Sequence, residues 1–307
     1  MSHFSKKFND TYSDIKSIRI QGAERVAWKG SVAAANEIIR ELELVRKESY
    51  TRKRYLDITN NVKHRMLSSR PTEPALNNAI TLLIGKSTPK SKEAALLRIK
   101  EGKKKLNEHF ETAYDKVAVV AKKELSQFHS CYTHCHSSLA VHAIISSGIR
   151  TVHNTETRPL YQGRKTAREL SRAYRKMIIH HYVDSAMRTA ISKADCIILG
   201  ADSITMHGDV INKIGTGIVG LIAEEMKKPV YVIADSYKLD LHSIAHDTVI
   251  EERNAREVWN NNIHNVLVHN PAFEKINASQ VGKIICESGS YKPKEFVKKA
   301  VNSIING

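Results

Sequence analysis

The sequence predicts an α/β protein with a helical N-terminal domain over residues 1–126 and a doubly wound, mostly parallel sheet domain over 127–307. Two observations carry this. Up to residue 126 the apolar residues recur with the 3.6-residue period of helices, with no alternating strands between them. From about Ser130, short apolar runs alternate with helical segments, the strand-helix-strand rhythm of a parallel sheet. A third observation locates interest: ligands of such sheets sit beyond the carboxyl ends of the strands, where the strand order reverses.

In the first half, Ile15, Ile18 and Ile20 lead to a break at Gly22, and a long helix rich in Ala, Ile, Leu and Glu runs from about Ala23 to Val45. An amphipathic helix covers about Tyr50–Leu67, Pro71 and Pro74 break it, and Leu76–Ile84 resumes. Ser91-Lys-Glu is a plausible N-cap for a helix reaching about Lys123. The hinge is expected near residues 124–130. In the second half the expected strands are Cys131–Thr133, Ile149–Asn154, Met177–Tyr182, Cys196–Leu199, Val230–Ala234, Val266–Val268 and Lys283–Cys286. Helices are expected at Ser138–Ser147, Thr166–Tyr174, Ser185–Ser192 and Gly217–Met226. The strand ends of interest are then His134–Ser138, Glu156–Arg158, Asp202 and Asp235–Lys238.

Composition narrows the function classes. No window reaches the roughly 18 uncharged apolar residues of a membrane helix, and the polar N-terminus lacks the apolar core of a signal peptide. Cys131, Cys135, Cys196 and Cys286 are too scattered for a disulfide scaffold, so a reduced, cytoplasmic protein is expected. The net charge of +16, from 48 Lys+Arg against 32 Asp+Glu, favours an anionic partner. Nucleic acid would fit that charge but is not favoured: only 6 % of residues are aromatic, too few for stacking platforms. The basic runs, such as Lys103-Lys104-Lys105, read as solvated helix faces.

Four sets of residues could carry chemistry. In TyrThrHisCysHisSerSer (132–138), Cys135 sits at a strand end just before a helix. The positive end of the helix dipole would lower its thiol pKa and favour thiolate, and Ser137 and Ser138 could hold a phosphate. The other reading is a buried, inert cysteine. A metal at Cys131, His134, Cys135 and His136 is disfavoured, because successive strand residues point to opposite faces. Residues 200–216 (GADSITMHGDVINKIGT) put Asp202 at the end of an apolar strand. Buried there, its carboxyl would titrate near neutrality; the bland alternative is a capping Asp. Asn212 adds donors, Lys213 a cation, and Gly215-Thr216 the backbone N–H groups of a helix start. GlyThrGlyIleValGly (215–220), with Asp235 following, matches a dinucleotide fingerprint. It does not directly follow a clean strand, so the match is discounted. Further anion binders are Gly22-Ala23 at a helix start, Arg70-Pro71-Thr72 at a helix break, Glu156 and Arg158, and Lys238 after a strand.

THCHSS (133–138), TETRPLYQG (155–163), VDSA (183–186), GADSI (200–204), VINKIGT (210–216) and SYK (236–238), in this order, together with RPT (70–72) and IQGA (20–23), resemble one superfamily. It comprises the ribose-1,5-bisphosphate isomerases, the methylthioribose-1-phosphate isomerases and the regulatory α, β and δ subunits of translation initiation factor 2B. Within it the motifs are most similar to the archaeal ribose-1,5-bisphosphate isomerases. The resemblance implies a helical N-terminal domain, a Rossmann-like C-terminal domain, and homodimers that can assemble into hexamers. It implies a catalytic Cys and Asp, falling on Cys135 and Asp202, which the initiation-factor subunits generally lack. It carries over substrate contacts at Gly22, Ala23, Arg70, Ser137, Ser138, Asn212, Lys213 and Lys238, with no metal or nucleotide cofactor. The implied reaction opens the ring of α-D-ribose 1,5-bisphosphate and isomerises it to ribulose 1,5-bisphosphate. Asp202, protonated, would serve the ring oxygen or O2, and Cys135 as thiolate would take the C2 proton; a hydride shift would assign Cys135 differently. One departure stands out. The family's phosphate loop usually carries Arg before Gly-Ala, and here Gln21 stands there, with Glu24 following. That leaves room for a related sugar phosphate, or for a non-catalytic regulatory subunit that binds a sugar phosphate or nucleotide.

Overall fold

The computed structural model describes residues 4–20, 22–243, 252–261 and 263–306, with residues 305 and 306 described by their backbone alone. Gln21 lies outside the described residues. The chain divides into two compact units, Met1–Thr112 with Asn302–Gly307, and Ala113–Val301.

The first unit is helical. α1 (Lys6–Lys16), α2 (Ala23–Leu44), α3 (Arg52–Leu67) and α4 (Pro74–Ile84) are followed by α5 (Lys92–Leu125), which runs on into the second unit. Ser5, Thr51 and Ser91 each accept a backbone N–H at a helix start, satisfying donors that a helix cannot satisfy itself. α2 is central and packs against α1, α3 and α4. Its buried stripe of Ala27, Gly30, Ala34 and Ala35 lets neighbours approach closely. A methyl group at Gly30 would lie 2.5 Å from Leu76 of α4.

The second unit is a doubly wound sheet. Its elements in order are β1 (Ser130–Thr133), α6 (Ser138–Ser147), β2 (Thr151–Thr155), α7 (Gln162–Ala173), β3 (Ile178–Tyr182), α8 (Met187–Ser192), β4 (Cys196–Leu199), β5 (Ser203–Thr205) and β6 (Val210–Lys213). Then come α9 (Thr216–Glu225), β7 (Val230–Ile233), β8 (Leu239–Asp240), β9 (Phe273–Ile276), β10 (Lys283–Cys286), β11 (Gly289–Tyr291) and α10 (Pro293–Asn306). The large sheet has the order β11-β10-β7-β4-β1-β2-β3, parallel except for β11. The central strands CIIL and VYVI are buried throughout, as strands covered on both faces must be. One face, with Cys131, Val152, Cys196, Ile198, Tyr231, Ile233 and Ile285, forms a core with Val117, Ala121 and Leu125 of α5, Ile144 of α6 and Leu170 of α7.

Two expectations are corrected. Val266–Val268 is not a strand: it is irregular, and Leu267 is 82 % exposed. A three-residue apolar run had no partner signal, and the place beside β7 belongs to β10. Residues 200–216 are not merely a strand end and a turn. They form the β5–β6 hairpin of a second, four-stranded sheet of order β8-β5-β6-β9. Helix α10 was not anticipated at all.

Candidate active site

The strand order reverses between β1 and β4. From β1 the chain winds outward through β2 and β3; from β4 it winds the other way through β7 and β10. β1 and β4 are parallel neighbours, Cys131 opposite Cys196 and Tyr132 opposite Ile197. Cys135 lies two residues beyond β1 and Asp202 three beyond β4, so the two sequence candidates follow neighbouring strand ends at the switch point, where sheets of this kind hold their ligands.

Cys135 is buried and holds a left-handed backbone, φ +67°, a conformation that costs a side-chain-bearing residue about 1–2 kcal/mol. Its backbone is fastened on both sides. Its N–H donates to Thr157 Oγ1 at 2.9 Å, and its carbonyl accepts from Thr166 Oγ1 at 2.8 Å. Thr157 is itself left-handed, φ +57°. The Asp184 carboxylate takes the N–H groups of Thr157 and Arg158, at 2.8 and 2.7 Å. Ser137 Oγ caps α6 by accepting from Ala140 N at 3.3 Å, and Ser138 is exposed beside His136 Nε2 at 3.4 Å. A methyl group at Gly200 would lie 2.5 Å from Ser137 Cβ. Glycine there brings the end of β4 against the start of α6.

The small sheet supplies the cations. Lys213, buried at the end of β6, lies 4.9 Å from the centre of the Phe273 ring. Lys238, buried in the turn after β7, donates to the Ala201 carbonyl at 2.6 Å, next to Asp202. Asp202 is half-buried rather than buried, and its N–H donates to Ile211 of β6 at 2.9 Å. Asn212 spends one donor on Thr216 Oγ1 at 3.1 Å.

Charge corrects the expectation of a thiolate. Burial pushes the Cys135 thiol up to about 12; Lys213 opposes the shift and the negative charge of Asp202 adds to it. Desolvation outweighs the helix dipole, and the sulfur in this site is a neutral S–H. Lys213 and Asp202 therefore both lie close enough for their charges to act on the thiol. His134, next to the cysteine, is also neutral, its pKa lowered chiefly by burial. Its Nε2 lies 2.8 Å from the Ile214 carbonyl, which can only accept, so Nε2 carries the proton; Nδ1 faces Thr155 Oγ1 at 2.8 Å.

Other sequence candidates separate. His136 turns to Thr166 and His134 to Thr155, so the Cys/His cluster does not converge. The Gly215-Thr216 helix start is already occupied: Gly217 N–H donates to the Glu274 carboxylate at 2.7 Å. It follows antiparallel β6, and Asp235 takes the Tyr237 N–H of its own turn at 2.8 Å. Neither fits a dinucleotide site. Glu156 pairs with Arg164, and Arg158 bonds Tyr161 Oη and the Val258 carbonyl. A cavity of about 510 Å³, walled by His134, Arg158, Asp184, Met187, Gly215 and Ile218 among others, is not lined by Cys135 or Asp202.

In the first unit, Gly22 holds φ +86° immediately before α2, and a methyl group there would meet nothing within 4 Å. Ala23 is buried. Arg70, half-buried, keeps a buried Nε with no hydrogen-bond partner, a costly arrangement that a ligand would relieve. Sequence reasoning assigned no role to Thr157, Thr166 or Asp184, although TETRP and VDSA had been noted as motifs.

The ribose 1,5-bisphosphate isomerase of Archaeoglobus fulgidus is 33 % identical over 290 residues, spanning 91 % of this chain and 88 % of that protein. The methylthioribose-1-phosphate isomerase of a Thermoanaerobacter species is 30 % identical, spanning 94 % and 88 %. The solved structure of translation initiation factor eIF-2B from Pyrococcus horikoshii shares the fold, with a TM-score of 0.76 over 95 % of this chain and 99 % of that one at 24 % identity. The chain is an isomerase. The model of the initiation factor 2 subunit family matches residues 21–293, and the chain belongs to that family.

Proposed function

We propose that this isomerase converts α-D-ribose 1,5-bisphosphate to D-ribulose 1,5-bisphosphate, with Cys135 and Asp202 as its acid and base. The observation that carries the reading is the placement of these two residues just beyond the ends of the adjacent strands β1 and β4, where the winding reverses. The thirty-per-cent relatives named for this reaction support the substrate. A neutral thiol reverses the roles expected from the sequence. Cys135 S–H gives its proton to the ring oxygen as the bond from C1 to that oxygen breaks, and C1 keeps its phosphate. Asp202 removes the C2 hydrogen as a proton, leaving an enol phosphate across C1 and C2. The O2 proton then returns to the Cys135 thiolate, Asp202 delivers its proton to C1, and C2 becomes the carbonyl. C1 is reduced and C2 oxidised within one molecule, so no external oxidant or reductant is needed.

Lys213 and Lys238 supply positive charge for a phosphate, with Asn212, Ser137 and Ser138 as hydrogen-bonding groups. Gly22, Ala23 and Arg70 are assigned to substrate on the motif and, for Arg70, on its unpartnered Nε. Assembly into homodimers or hexamers is part of the same reading, and mass photometry of the purified chain tests it.

A second reading is favoured by the similarity to methylthioribose-1-phosphate isomerases. The purified chain is to be assayed on both sugars. Preference for ribose 1,5-bisphosphate by at least about 100-fold in kcat/KM supports the proposal. Preference for methylthioribose 1-phosphate removes the substrate claim and keeps the chemistry. Turnover of neither removes both substrate readings.

A further inference from the structure

Three neighbouring strand ends hand position from one to the next. Asp184 follows β3, Thr157 follows β2 and Cys135 follows β1, and these strands are adjacent in the sheet. The Asp184 carboxylate accepts both N–H groups of the loop after β2, at Thr157 and Arg158. That loop's hydroxyl, Thr157 Oγ1, accepts the Cys135 N–H at 2.9 Å. Both ends of the last link sit at positive φ, Thr157 at +57° and Cys135 at +67°. A β-branched residue is an outlier there, and such conformations persist only where surrounding contacts over-determine them. The over-determining contacts are the two Asp184 bonds, the Thr157 hydroxyl and the Thr166 bond to the Cys135 carbonyl.

We propose that Asp184 and Thr157 are positioning residues for Cys135: Asp184 holds Thr157 in its left-handed conformation, and the Thr157 hydroxyl fixes the direction in which the sulfur points. Neither side chain needs to touch substrate. The inference rests on the reading of Cys135 as a catalytic residue. The negative charge of Asp184 also acts on the thiol, in the direction that keeps it protonated.

The test uses Thr157→Val, Thr157→Ser and Asp184→Asn in the full chain. Thr157→Val deletes the acceptor for the Cys135 N–H, and Thr157→Ser keeps it. Asp184→Asn leaves an amide that cannot accept from both N–H groups with equal geometry. In the isomerase assay, Thr157→Val and Asp184→Asn lower kcat by roughly 10- to 100-fold with little change in KM, as small misplacements of a reacting group do, and Thr157→Ser restores most of it. A second readout needs no substrate: alkylation of each cysteine by iodoacetamide, followed by peptide mass spectrometry. Thr157→Val and Asp184→Asn speed alkylation of Cys135, Thr157→Ser does not, and Cys131, Cys196 and Cys286 stay protected because they are buried in the core. Equal kcat and equal Cys135 labelling in wild type and Thr157→Val overturn the inference. So does labelling of all four cysteines in parallel, which marks a general loss of structure. A wild type without turnover removes the proposed function, and the alkylation comparison then decides this inference by itself.

Discussion

The two sheets of the second unit differ in construction and in what they contribute to the site. The seven-stranded sheet is parallel except for β11, and its central strands, runs such as CIIL and VYVI, are buried on both faces. Its strand ends carry Cys135 and Asp202. The four-stranded sheet is built from SIT, VINK, LD and FEKI, and its last strand arrives sixty residues after the one it pairs with. Its hairpin and the turn leading into β8 carry Asn212, Lys213 and Lys238. Reacting groups need fixed geometry, which a close-packed parallel core provides. Charge acts over a longer range, so a smaller, polar sheet can deliver it.

If that division holds, variants on the two sheets should separate in kinetics. The largest effect belongs to the strand ends: Cys135→Ala and Asp202→Asn lower kcat by at least about 1,000-fold while KM changes little, the pattern for groups that act only in the transition state. Lys213→Met and Lys238→Met come next. They raise KM by roughly 10- to 100-fold with a smaller effect on kcat. Because Lys213 opposes the upward shift of the thiol, Lys213→Met also slows alkylation of Cys135 at pH 9. A loss confined to kcat in the lysine variants would break the comparison.

Stability against pH sharpens it next. Burial raises the thiols of Cys135, Cys196 and Cys286 to about 12 from an ordinary value of 9.0. The fold holds these protons more tightly than the unfolded chain does. Their contribution is complete below pH 9 and drains as pH rises from 9 toward 12. His136 runs the opposite way. Burial lowers it to about 4 from 6.5, so its contribution is complete above pH 6.5 and is lost as pH falls toward 4. Chemical denaturation at stepped pH should give a plateau between about 6.5 and 9 that falls on both sides, by about 1.4 kcal/mol per pH unit for each proton linked. His136→Gln should flatten the acid limb and leave the alkaline one. The smallest effect is at the second sheet's own helix cap. Glu274→Gln weakens the carboxylate bond to Gly217 N–H and costs about 0.3–1 kcal/mol in the same experiment.

The same contrast explains what was legible in the sequence. Strands buried on both faces announce themselves as apolar runs, and β4 and β10 fall where Cys196–Leu199 and Lys283–Cys286 were expected. The helices of the first unit were legible from their period and caps, α2 and α4 to within two residues. The small sheet was not, because strands such as VINK and FEKI mix polar and apolar residues and their pairing is long-range. Val266–Val268 misled for the converse reason, an apolar run with no strand to pair with. Within the site, the residue types at 135 and 202 were legible, but the thiol's protonation was not. It depends on desolvation by neighbours distant in sequence, and the local signal, a helix start, pointed the other way. The link from Thr157 to Cys135 joins residues twenty-two apart and left no periodic trace.

The central claim is that Cys135 and Asp202 move protons during isomerisation of ribose 1,5-bisphosphate. Running the reaction in heavy water and reading C1 of the ribulose 1,5-bisphosphate by NMR tests it most directly. The account predicts deuterium at C1 of the wild-type product, because the half-buried Asp202 carboxyl exchanges the proton taken from C2 with solvent before delivering one to C1, and no product from Asp202→Asn. Product formed by wild type with no deuterium at C1, the mark of a hydride passing from C2 to C1, or undiminished turnover by Asp202→Asn, would contradict it.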